Sequence, residues 1–217
     1  MPERDSEGPY PGYDVLAKRS SPSWNDKTRT VIDERLSLPA QPRFFDAHEF
    51  ATVQAIAARL VPQPRARPPI PVAAMVDHKM HTDRSDGYRR VGMPRQREAW
   101  RQGLAALDAE AREAHGKDFL ALSGSDQDDL LRRLQKGRTQ SPAWGAMPPK
   151  DFFETRLARD VVLAYYSYPS AWSEIGWGGP ASPRGYVRMG FDERDPWEGA
   201  EVRNGDVEAA RRKNLNV

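Results

Sequence analysis

The residues of this chain that could do chemistry are few, and each set is incomplete. His78 and His81 stand three apart beside Asp77, a spacing that could put two nitrogen ligands on one side of a helix. No His-Glu-x-x-His pair and no second acidic pair accompanies them, so they read as surface histidines. His48 falls in a first helical turn. His115 lies near a helix C-terminus, where a cation suits the helix dipole. Adjacent carboxylates such as Asp128 and Asp129 lie on what reads as a solvated helix face. A Gly-x-Ser-x-Gly elbow, a dinucleotide fingerprint after a strand and a lysine in an apolar pocket are all missing. With zero cysteines, disulfides, thiolate metal sites, cysteine-ligated clusters and a cysteine nucleophile are excluded. No residue is assigned a catalytic, cofactor-binding or metal-binding role, and the chain is expected not to be an enzyme on its own.

Binding chemistry is better represented. Tyr165, Tyr166, Tyr168, Trp172, Trp177 and Tyr186 crowd six aromatics into one short segment centred on Gly176-Trp177-Gly178-Gly179-Pro180-Ala181-Ser182-Pro183-Arg184-Gly185-Tyr186. Glycine and proline this dense predict a loop rather than a helix or central strand. A loop with so much aromatic area must bury it, on its own helices or on a partner. Aromatic and arginine side chains dominate protein–protein anchor points. The expected interface residues are Trp24, Tyr168, Trp172, Trp177, Gly178, Gly179, Pro180, Arg184, Tyr186 and Trp197. The small neighbours of Trp177 would let the backbone approach another surface closely. A phosphate cradle is disfavoured, because two prolines remove amide donors and no strong helix follows. The competing reading is an independent sugar-binding protein or enzyme that uses the aromatic loop as a stacking platform.

The elements that must position this segment are helices. Asp46 and Glu49 form a capping box, Phe45 and Phe50 fit a hydrophobic staple, and Phe50, Val53, Ile56, Ala57 and Leu60 mark one helical face. Val61-Pro62 ends that helix. Pro71 opens a second, with Val72, Met75, Val76 and Met80, reaching about His81. Asp83 to Val91 reads as a loop. Pro94 opens a third helix carrying Trp100, Leu104, Leu107 and Ala111, with Gly116 as its C-cap. Ser125 with Asp128 is predicted to cap a fourth, closed by Gly137. Asp151 with Glu154 is predicted to cap a fifth, which Pro169 ends. Three capping boxes and no period-two alternation predict an all-α fold. It is an irregular bundle of about five helices with long irregular N- and C-terminal arms. The expected division is an extended docking arm over 1–43, a helical core over 44–168, and an aromatic Gly/Pro loop with a C-terminal tail over 169–217.

Charge is balanced, with 33 Lys+Arg against 31 Asp+Glu and a net of +2. No basic stripe stands alone, so no nucleic-acid partner is expected. No stretch approaches the ~20 apolar residues of a membrane span, and no secretory apolar run follows Met1. The chain is expected to be cytoplasmic, and periplasmic only if a partner exports it.

Certain residues carry a resemblance. They are Phe44-Phe45 with Glu49, Ile56 through Leu60-Val61-Pro62, Val76-Asp77, Gly103-Leu104, Leu107-Asp108 and Phe119. They continue with Tyr165-Tyr166, Trp172, Ile175-Gly176-Trp177, Gly179-Pro180 and Gly185-Tyr186. With these marks the chain resembles the gluconate 2-dehydrogenase subunit 3 family, and the final block is the most specific part. The resemblance implies a small subunit that pairs with a large FAD-dependent oxidoreductase of the glucose-methanol-choline type. It further implies a role in helping that subunit fold, persist or be exported, with FAD and the chemistry in the large partner and no cofactor in this chain. Many such subunits carry a twin-arginine signal. Here Arg89-Arg90, Arg132-Arg133 and Arg211-Arg212 precede no apolar run near the N-terminus.

Overall fold

The structure is a computed structural model that describes residues 8–64, 67–181, 185 and 195–216. In chain order the helices are α1 (Asp26–Leu36), α2 (Ala47–Leu60), α3 (Val72–His81), α4 (Gln96–His115), α5 (Gly124–Gln135), α6 (Pro149–Phe152), α7 (Ala158–Tyr166), α8 (Pro169–Glu174) and α9 (Val207–Asn214). Short 3₁₀ turns cover Val15–Lys18, Phe119–Ala121 and Pro142–Trp144. The fold is all-α, with no strand among the described residues.

All five expected helices are present, and several of their ends fall where local chemistry places them. The Asp46–Glu49 capping box is formed in both directions. Gly116 ends α4 in the left-handed conformation, at φ +68°, where glycine carries no Cβ penalty. Two caps differ from expectation. α5 starts at Gly124 because the Ser123 hydroxyl, not Ser125, accepts the Asp126 amide. The last long helix starts at Pro149, three residues early, since proline is well suited to a first turn. Asp151 and Glu154 therefore lie inside it and bind Arg90 instead. Between α6 and α7 the helix widens into a π-turn over Phe153–Leu157.

The described chain forms two compact units. One comprises residues 39–63 and 71–165. Its core is an aromatic train from Phe44 through Phe45, Trp100 and Phe152 to Trp144, with successive ring centroids 4.9–5.8 Å apart. Leu104, Leu107, Leu130, Leu134 and Val161 add to it, all almost fully buried. Each such side chain contributes about 1.5–3 kcal/mol through burial. Gly103 makes room for the train, since a Cβ there would sit 2.2 Å from the Phe152 ring.

Buried carboxylates fasten the connections of this unit. Asp77 accepts the backbone N–H groups of Arg43, Phe44 and Phe45 at 2.8–2.9 Å. Asp108 accepts the Phe119 amide at 3.0 Å and lies 2.6 Å from His48 Nε2. Glu110 accepts the amides of Gln140 and Ser141 and the Trp144 indole N–H. Val76-Asp77, Gly103-Leu104, Leu107-Asp108 and Phe119, which carry part of the resemblance, thus all serve the interior of this unit.

The other unit comprises residues up to 38, 64–70 and from 166 onward. Sequence expects the N-terminal arm and the C-terminal tail to be separate extensions. Instead they share this unit and its core of Tyr13, Val15, Trp24, Ile32 and Trp172. Much of the expected arm is helical, because Asp14 caps the 3₁₀ turn at Val15 and Asn25 caps α1 through the Thr28 amide. α9 is capped in the same way by Asp206.

Candidate partner-binding site

The aromatic segment is arranged around its glycines. Tyr168 leads into α8, where Pro169 occupies the first turn and Trp172 lies on the buried side. The Trp172 indole N–H donates to the Tyr166 carbonyl at 2.6 Å, and its ring meets Trp177 edge-on, 5.0 Å between centroids. Gly176 follows in the left-handed conformation. A Cβ on it would lie 2.3 Å from the Tyr10 ring. Gly179, also left-handed, fits against the edges of both Trp24 and Trp172, which a Cβ would meet at 3.2 Å. Gly178 lies against the Trp197 carbonyl and the Lys18 ammonium. Tyr13 Oη donates to that same Trp197 carbonyl at 2.6 Å. The Val15 amide donates to the Ser173 hydroxyl at 3.1 Å.

These contacts revise several expected interface residues. Trp24 and Trp172 are 1% and 2% exposed, inside the unit's own core. Gly178 and Gly179 are buried as well. The space beside the glycines, expected to admit a partner's surface, holds Tyr10, Trp24, Trp172 and Trp197 of the same chain. The physical reason is that bulky indoles can pack around a turn only where the turn lacks side chains. Tyr168, Trp177, Pro180 and Trp197 are half-buried. Burial raises the Tyr168 phenol above its ordinary pKa. Arg184 and Tyr186 lie outside the described residues. Pro180 also closes one side of an open groove of about 220 Å³, whose other wall is the α1 face bearing Lys27, Val31 and Arg35.

The sets weighed for chemistry resolve structurally. Both oxygens of Asp77 accept backbone amides, and His78 Nδ1 lies 2.6 Å from the Arg43 guanidinium. Burial and the Arg43 charge lower the His78 pKa. Among the described residues no group of three or more His, Asp or Glu is placed to hold a metal ion. A stacking platform for sugar needs an aromatic face open to solvent, which Trp24 and Trp172 lack.

One ionic cluster escaped the sequence reading. Asp160, with a fully buried carboxylate, accepts from Lys79 Nζ at 2.7 Å and from the Trp100 indole at 2.8 Å. Lys79 also reaches Asp86 at 2.8 Å, which in turn accepts from Arg156 at 3.0 Å. Burial pushes the Asp86 carboxyl up, but the Lys79 hydrogen bond and the charges of Lys79, Arg159 and Arg156 outweigh it, so the net shift is downward. Partners 70 and 81 residues apart give no short-range signal.

A family model, gluconate 2-dehydrogenase subunit 3, matches residues 47–179, well over half of the chain. The chain belongs to the gluconate 2-dehydrogenase subunit 3 family. The match runs from the first turn of α2 to Gly179, so it takes in the ionic cluster and most of the aromatic segment. The family description makes this chain a subunit of an oxidoreductase complex. No curated protein and no solved structure matches it. Among the described residues no helix is long and apolar enough to cross a membrane.

Proposed function

We propose that this chain is a non-catalytic accessory subunit that assembles with, and stabilises, a larger FAD-dependent sugar or glycoside dehydrogenase of the glucose-methanol-choline type. The observation that carries the reading is the family match over residues 47–179. The side chains weighed for chemistry also have structural partners. Asp77 holds backbone amides, His48 pairs with Asp108 and Asp128 with Arg59, and Gly176 and Gly179 of the aromatic turn face rings. On this reading the flavin, the substrate site and the hydride chemistry belong to the large subunit. The small subunit supplies surface, and the complex resides in the cytoplasm.

The test is purification of the tagged full chain from its native cells, with mass spectrometry and visible spectroscopy on each fraction. A large flavoprotein should co-purify in fixed ratio, with the flavin spectrum and sugar-dependent dye reduction confined to fractions that contain it. Bound flavin or turnover in the lone chain would overturn the proposal.

A further inference from the structure

The loop after α3, residues 82–95, is held more firmly than its exposure requires. Asp86 is fixed by Lys79 and Arg156. Arg90 bridges Asp151 and Glu154 at 2.6 Å each. Arg159 donates to the Tyr88 hydroxyl at 3.0 Å, and its guanidinium lies 5.5 Å from the Tyr88 ring. Tyr88 thus sits beside Arg159 while Arg90 sits beside Asp151, so the loop runs along the α6–α7 helix in the opposite direction.

What is held so firmly faces water. Tyr88 is 67% exposed and Val91 97%. Arg84 and Arg89 are exposed, and their side chains make no ion pair among the described residues. Val162 and Leu163, three and four residues beyond Arg159 and therefore on the same helix face one turn on, are exposed too. Exposed aromatic and aliphatic groups contribute little to the fold of this unit. The ion pairs that tether the loop would form without Tyr88 or Val91.

We infer that the loop over residues 84–92 and the outward face of α7 form the docking surface for an acidic patch of the large partner subunit. The inference rests on the accessory-subunit reading and names the surface that serves it. Aromatic, aliphatic and arginine groups are the side chains that anchor protein interfaces. Holding them in place before binding removes the ordering cost of the encounter. The charge facing outward is positive, because Lys79 and Arg156 neutralise Asp86 while Arg84 and Arg89 remain outside; the complementary surface carries carboxylates. A nucleic-acid backbone fits less well, since it tracks a row of cations rather than an apolar centre.

The experiment uses the full chain and the flavoprotein that co-purifies with it. Binding is measured for the wild type, for Arg84→Glu/Arg89→Glu, for Tyr88→Ala/Leu163→Ala, and for the control Lys117→Glu/Lys136→Glu, which reverses two other exposed cations of the same unit. Circular dichroism and melting temperature check each fold. Both loop-face variants should stay folded and bind about 30-fold more weakly or worse, the loss expected from hot-spot truncation. The arginine variant should also lose the salt dependence of association. The control should bind like the wild type. Unchanged affinity in both loop-face variants, beside a wild type that binds, overturns this surface and leaves the accessory-subunit reading standing. A wild type that holds no flavoprotein overturns that reading and this one with it. Nucleic acid bound through Arg84 and Arg89, with flavoprotein affinity unaffected, also overturns the inference.

Discussion

At the scale of single residues, the carboxylates of the helical unit explain more than the aromatics do. Asp108 is nearly buried, holds the Phe119 amide and pairs with His48. That hydrogen bond raises the His48 pKa above its ordinary 6.5 against the opposing effect of burial. A raised imidazole pKa means that the folded state binds the proton more tightly. The pair therefore contributes fully below the unfolded value, and its contribution is lost as pH rises through the folded one. His48→Ala should lower the urea midpoint at pH 6 and have less effect at pH 9. An equal loss at both values would show that the proton plays no part. His48 is legible from sequence as a first-turn residue. Its partner lies 60 positions away, a distance at which spacing carries no information.

At the scale of elements, the same carboxylates join helices to the segments between them. Asp77 on α3 ties the strand-free stretch Arg43–Phe45 just before α2, accepting three backbone N–H groups, two of them buried. Asp77→Ala should therefore cost about 2 kcal/mol or more, because each buried donor left unpaired costs ~1–3 kcal/mol. A denaturation midpoint showing only the ~0.5 kcal/mol of an ordinary surface change would contradict the role. Local chemistry made the helices readable. The Asp46 box, Pro71, Val61-Pro62 and Gly116 each act within a few residues, and each lies at an element boundary in the structure. α1 was missed because its sequence is mostly polar and buries only Ile32, leaving too few apolar positions to set a period. The π-turn at Phe153–Leu157 has no sequence signature of its own. The outward loop at Tyr88 was readable as a loop, while its ionic tethers to Lys79, Arg156 and Arg159 were not.

At the scale of the whole molecule, one unit draws on both ends of the chain. Tyr13, Val15, Trp24 and Ile32 come from the first 38 residues, and Trp172 completes their core. Deleting residues 1–38 should leave Trp172 and Trp177 in water. Tryptophan emission should then shift to the red and the protein should bind a hydrophobic dye, while Trp100 and Trp144, in the other unit's core, keep their blue-shifted emission. Unchanged emission without dye binding would contradict the shared core. Sequence reading placed Trp172 in a different segment from the other four because contacts between the two segments span well over a hundred positions. The tie between Asn214 and the Pro11 carbonyl, 2.8 Å long and 203 residues apart, has a bearing on synthesis. A ribosome adds ~5–20 residues per second, so Pro11 is made roughly 10–40 s before its partner exists. Through that interval Tyr13, Val15 and Trp24 leave the tunnel without the residues that cover them. The nascent chain therefore exposes these core side chains well before Trp172, which covers them, has been made, and the newborn protein is a client for whatever binds naked aromatic chain at the tunnel exit.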